Sequence, residues 1–98
     1  VRVVRMTAER FTFTPAEVAV DAGVEVEFRL RSDDTLHGFR IAGHAIDVAI
    51  PKRGRGETTV RFTPPGPGRY VFECSRMCGA GHGFMRGTLI VRERGGAR

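Results

Sequence analysis

Both cysteines of the 98-residue chain fall in one short stretch, Cys74-Ser75-Arg76-Met77-Cys78-Gly79-Ala80-Gly81-His82-Gly83-Phe84-Met85. Two thiols, an imidazole and a thioether are thereby strung together as Cys-x3-Cys-x3-His-x2-Met. Thiolate and thioether sulfur are soft donors that suit copper, imidazole suits several transition metals, and a hard-cation site has no use for methionine. The stretch therefore predicts a copper-ligand set. Taken singly, His82 and Met85 say nothing, since methionine is ordinary core filling; their offsets from two cysteines give them meaning. A disulfide between Cys74 and Cys78 would close a very small loop and stabilise little. Zinc accepts two cysteines and two histidines in a closed tetrahedron, which leaves Met85 unexplained. A mononuclear blue-copper site uses one cysteine, so Cys78 is surplus to it.

A further ligand must come from elsewhere in the chain. His37, in Asp34-Thr35-Leu36-His37-Gly38-Phe39, lies just after a turn and at the start of a strand, where it can reach the end of the molecule that carries the cysteine loop. Loops held on a rigid framework are where such sites sit. Gly79, Gly81, Gly83 and Gly87 are expected to clear side chains from around the ligands so that a short backbone can curl. Met77 and Met6 read as packing, and His44 as a surface residue.

The framework itself is legible as alternation of apolar and polar residues, the period-two signal of half-buried strands. Strands are predicted over 1–6, 17–20, 24–31, 36–41, 45–50, 58–62, 69–74 and 88–92. Val24, Val26, Phe28 and Leu30 face one way while Glu25, Glu27, Arg29 and Arg31 face the other. Pro51 to Gly56 is a basic, glycine-bearing loop, and Pro64-Pro65-Gly66-Pro67-Gly68 is a turn that no helix traverses. No stretch shows sustained helical periodicity. About seven or eight short strands with turns between them indicate an all-β sandwich with Greek-key connections.

The length predicts one domain over residues 1–98, with a frayed tail at 94–98. No apolar run is long enough to cross a bilayer and no charged-then-apolar leader opens the chain, so the chain as written reads as soluble. It starts at Val1 without an initiator methionine, which is compatible with removal of a leader or membrane anchor. The formal charge of +5 is almost wholly arginine. Most of these arginines are spaced along strands, with local clusters only at Lys52 to Arg55 and Arg92 to Arg98. With no stacking platform or groove-reading motif beside them, nucleic acid is not an expected partner.

Over roughly residues 34 to 92 the chain resembles the dinuclear copper A (CuA) domain of subunit II of haem-copper cytochrome c oxidases. The resemblance rests on Cys-x3-Cys-Gly-x2-His-x2-Met, the preceding Leu-His-Gly-Phe, the Pro-Gly turn and the Tyr-x-Phe-x-Cys strand. It implies a cupredoxin-like fold and two copper ions bridged by the thiolates of Cys74 and Cys78. One copper would also take His37 and, weakly, Met85; the other would take His82 and the backbone carbonyl of Arg76. Ligands already fixed by the sandwich need little rearrangement when an electron arrives. Many family members have glutamate at the position of Arg76, where it helps hold magnesium. Arginine cannot, so only the carbonyl carries over and no magnesium is expected. The tryptophan at which many members receive electrons is also missing. Phe39 is expected to supply apolar contact surface there, and Asp34 to orient His37 by hydrogen bonding, although a turn-initiating aspartate explains Asp34 equally well.

The implied function is electron transfer. Single electrons would come from cytochrome c and pass to the haem in oxidase subunit I, at the extracytoplasmic, periplasmic face of the cytoplasmic membrane. Membrane contact would come only through an anchor or partner subunit. No acid–base constellation is present, so the domain alone is not expected to catalyse a reaction. Its docking surface is expected to be a weakly apolar patch around the copper end, forming a small, transient interface. Two alternatives stand beside this. A nitrous oxide reductase has a similar copper loop, but needs a large histidine-rich domain and usually carries tryptophan between the cysteines. A copper chaperone or thiol reductant of oxidase assembly also uses Cys-x3-Cys with a remote histidine, but sets its cysteines early, beside a helix.

Overall fold

The computed structural model describes residues 1–76 and 82–93, and there the chain forms strands and one short 3-10 turn, His82–Phe84. The strands are β1 (Arg2–Glu9), β2 (Thr12–Thr14), β3 (Glu17–Asp21), β4 (Val26–Ser32), β5 (His37–Ile41), β6 (Ile46–Ile50), β7 (Thr58–Phe62), β8 (Gly68–Glu73) and β9 (Arg86–Arg92). They pack as two sheets, β2-β1-β4-β7 and β3-β9-β8-β5-β6. The expected all-β sandwich is present. Among the described residues no helix is long and apolar enough to cross a membrane.

Alternation explains which side chains are inside. On β1 Val4, Met6 and Ala8 are buried while Arg5 and Glu9 face out; on β4 Val26, Phe28 and Leu30 are buried and Arg31 faces out. Glu27 departs from the pattern. It points outward yet is buried, because Arg29 Nε at 2.7 Å and Arg61 Nη2 at 3.0 Å close over its carboxylate.

Between the sheets, Phe13 and Phe28 from one meet Phe39 and Phe72 from the other. Phe13 meets Phe39 and Phe72 edge to face, with ring centroids 5.9 and 5.4 Å apart, and Phe28 lies 5.1 Å from Phe39. Such pairs add to the stabilisation from area burial alone.

Several boundaries differ from expectation. β2 was not foreseen, since three residues are too few to display a period. β4 begins at Val26 rather than Val24, and β1 runs on to Glu9. β1 also pairs parallel with β4, and β3 parallel with β9, neither of which alternation can reveal. The tail 94–98 lies outside the described residues.

Candidate metal centre

Period two sets the direction of His37. It opens β5 and shares a face with Phe39 and Ile41, so its ring points between the sheets and is wholly buried. β8 delivers Cys74 to the same end of the sandwich. Arg40 pairs with Glu73, the last residue of β8, and the cysteine follows it directly. Nδ1 of His37 lies 4.0 Å from Cys74 Sγ. The other ring nitrogen, Nε2, lies 2.6 Å from Asp34 Oδ1.

Asp34 is itself held. It accepts the backbone N–H of Arg10 at 2.9 Å and that of Thr35 at 2.7 Å. Burial pushes the Asp34 carboxyl up, but the Arg10 N–H, the His37 ring and the Thr35 N–H outweigh it and bring its pKa down to about 2. The aspartate therefore fixes which way the imidazole faces, with Nδ1 turned to the sulfur. A carboxylate on the far nitrogen of a ligand histidine is the arrangement that orients the ring and raises its basicity.

Around the Cys74 sulfur, the Gly38 N–H donates to Sγ at 3.5 Å, and the Arg76 carbonyl lies 3.0 Å away. Met85 is buried, and its carbonyl accepts the Cys74 N–H at 3.0 Å, closing the base of the ligand loop between β8 and β9. The Arg76 guanidinium leaves the site and pairs with Asp47 on β6 at 3.1 Å. So His37, Cys74 and the Arg76 carbonyl converge, with Met85 packed at the loop base. Met77, Cys78, Gly79 and Gly81 lie outside the described residues, as does the His82 side chain. Among the described residues no three His, Cys, Asp or Glu side chains form a group able to hold a metal.

The donor set tests well for a soft transition metal. An imidazole nitrogen whose far partner is a carboxylate, with a cysteine sulfur 4.0 Å from it, supplies donor types that such an ion takes. Arginine at position 76 turns its charge to Asp47, so its carbonyl faces the sulfur without a cationic head beside it.

Two expectations need correction. Phe39 offers no contact surface, because it is wholly buried at the centre of the aromatic cluster. The exposed apolar residues near the site are Leu36, 44% exposed, and Phe84, 83% exposed. Gly83 has open space where its side chain would be, so no crowding requires a glycine there. Gly87 is required, but by Ala16 and the Phe72 ring rather than by the ligands. Gly38 went unnoticed. A Cβ there would strike the Ser75 hydroxyl and lie 2.9 Å from the Arg76 backbone nitrogen, so its absence lets β5 lie against the ligand loop. Its place beside the candidate histidine was the available signal.

His44, read as a surface residue, is exposed at the opposite end, where it lies against Phe62 and Tyr70.

Comparison with known proteins agrees with this architecture. A family model for a cupredoxin-like domain matches residues 1–91. A cytochrome c oxidase subunit 2 from Thermus thermophilus is 38% identical over 91 residues, which is 92% of this chain and 65% of that protein. The chain thus spans just under two thirds of that relative's length. A solved haem-copper terminal oxidase dimer contains a chain that superposes with a TM-score of 0.81 at 26% identity, over 93% of this chain and 65% of that one. The periplasmic domain of subunit II of cytochrome oxidase from Bradyrhizobium japonicum has a TM-score of 0.83 over 95% of this chain and 85% of its own; at 17% identity the likeness is one of fold. The similarity to oxidase subunit II read from the loop motif thus extends over most of the chain.

Proposed function

Since the chain belongs to the cupredoxin-like domain family, we propose that it is a dinuclear copper electron-transfer domain of an oxidase subunit II, receiving electrons from a cytochrome c and relaying them to the haem of a partner subunit. One observation carries the reading. His37 turns Nδ1 to the Cys74 sulfur while Asp34 holds its other nitrogen, an orientation suited to a metal ligand.

Cys74 and Cys78 would bridge the two coppers, His37 and Met85 would complete one, and His82 with the Arg76 carbonyl would complete the other. When bound, the pair supplies a one-electron store shared between two nuclei. The chain's own part is to keep the donors still. The Asp34 clamp fixes the imidazole, the Gly38 N–H steadies the sulfur, and the Cys74–Met85 backbone bond closes the loop. Burial of His37, Cys74 and Met85 keeps water from these donors, which limits solvent reorganisation during transfer. The reading places the chain as one domain, on the periplasmic side of a membrane, next to the oxidase subunit that carries the haem.

Copper addition to the reduced protein, followed by metal analysis and electron paramagnetic resonance, tests this. Two coppers per chain and hyperfine structure from one electron over two equivalent nuclei are expected. A single copper with a mononuclear spectrum would overturn the reading, as would full copper uptake by a Cys78→Ser variant with its spectrum unchanged.

A further inference from the structure

Some surface cations are matched to carboxylates, while exposed Arg2, Arg5, Arg31 and Arg69, each standing singly in the sequence, have none within ion-pair distance among the described residues. Arg29 and Arg61 share Glu27, Arg40 and Arg86 share Glu73, and Arg92 meets Asp21. The loop between β6 and β7 instead gathers its cations in one place. Lys52, Arg53 and Arg55 stand within four residues and are all exposed; among the described residues none has a carboxylate within ion-pair distance. A turn closed by the Arg55 N–H on the Lys52 carbonyl at 3.0 Å, with Gly54 at a φ of 81°, holds these like charges together.

The loop is built onto the candidate metal centre. Ile50 pairs directly with His37, so the loop leaves the sheet beside that histidine. The Arg53 N–H donates to the Asp34 carbonyl at 3.0 Å, and Asp34 is the residue that clamps His37. Exposed Leu36 precedes His37 and exposed Phe84 precedes Met85. The site's end of the molecule thus combines apolar surface with a basic edge whose cations outnumber the nearby carboxylates, Asp33 and Glu57, which line the same hollow as Arg53.

Resting on the electron-transfer reading above, we propose that Lys52, Arg53 and Arg55 form a cationic docking rim for an acidic electron-donor protein, whose own apolar patch meets Leu36 and Phe84. Complementary charge at the edge of a small interface raises the association rate, by about 10- to 1000-fold in steered pairs, and fixes orientation. A basic donor would instead meet like charge at the point of closest approach, on a chain already at +5. Apolar side chains beside the rim favour a protein partner over an anionic lipid surface, since a transient electron-transfer contact needs a dry centre as well as charge.

The test compares two donors that share fold and haem but differ in charge, a basic mitochondrial-type cytochrome c and the same protein with its lysines succinylated. Stopped-flow reduction of the copper-loaded domain at about 10 mM salt should be at least about tenfold faster with the succinylated donor, the gap closing near 0.5 M salt. The triple variant Lys52→Glu, Arg53→Glu, Arg55→Glu should reverse the preference while keeping copper content and circular dichroism unchanged. Binding is read separately by mixing both proteins oxidised and following amide NMR signals, which should shift around Leu36 and residues 52–55. Equal or faster reaction with the basic donor at low salt would overturn the proposal. So would an unchanged preference in the triple variant, or rim-dependent binding to anionic vesicles without any shift on adding the succinylated donor. Metal analysis separates this from failure of the copper reading, because the NMR arm reports docking whether or not two coppers are bound.

Discussion

Asp34 does two jobs that its position in the sequence does not separate. It caps a turn through the Thr35 N–H and it holds the far nitrogen of His37. Removing the charge while keeping the shape distinguishes them. The Asp34→Asn variant should fold, yet bind copper about 10- to 100-fold more weakly, as a chelator competition would show, because the imidazole loses the negative charge that raises its basicity. A purely turn-forming role would leave affinity unchanged. Gly38→Ala addresses the neighbouring contact. Its methyl would press on Ser75 and Arg76, and overpacking of this kind typically costs about 1–3 kcal/mol. Urea denaturation should show that loss together with reduced copper loading, since the backbone that must retreat carries the Arg76 carbonyl. At this scale the sequence made the soft donors legible by type and spacing. The tight approach at Gly38 was hidden, because nothing in a one-dimensional string says which residue a strand will face.

On β4 the outward Glu27 is tied to Arg29 on its own strand and to Arg61 on β7, directly opposite it in the register. The Arg29 guanidinium first, and then that of Arg61, hold the Glu27 carboxyl below its usual value of 4.5. Because folding lowers this pKa, the stabilisation is present above the unfolded value and is lost as pH falls through the folded one. A Glu27→Gln variant should therefore be less stable than the parent at neutral pH, the difference shrinking as pH drops below about 4.5, which urea titrations across a pH series would record. Alternation located β4 and its inward face. It could not show that Glu27 would be covered, since that depends on a long side chain arriving from β7. Three-residue β2 escaped for a different reason, having no room for a period, and it is placed by its pairing with β1.

Across the whole molecule, four phenylalanines from β2, β4, β5 and β8 join the two sheets. Phe72→Ala, wholly buried among them, should cost about 3–5 kcal/mol and appear as a lower denaturation midpoint. Sandwich architecture could be read from the recurrence of alternating segments and turns. Sheet membership could not, because β1 and β3 each pair in parallel with a strand distant in sequence, and such pairing leaves no local trace. The same pairings carry a practical consequence. Arg2 lies beside Val26, and Arg92 beside Asp21, both a full strand length from the turn that bears His37. A tether joined just ahead of Arg2 would start from the side away from that turn, so molecules fixed to an electrode through it would stand with His37 and Cys74 outward.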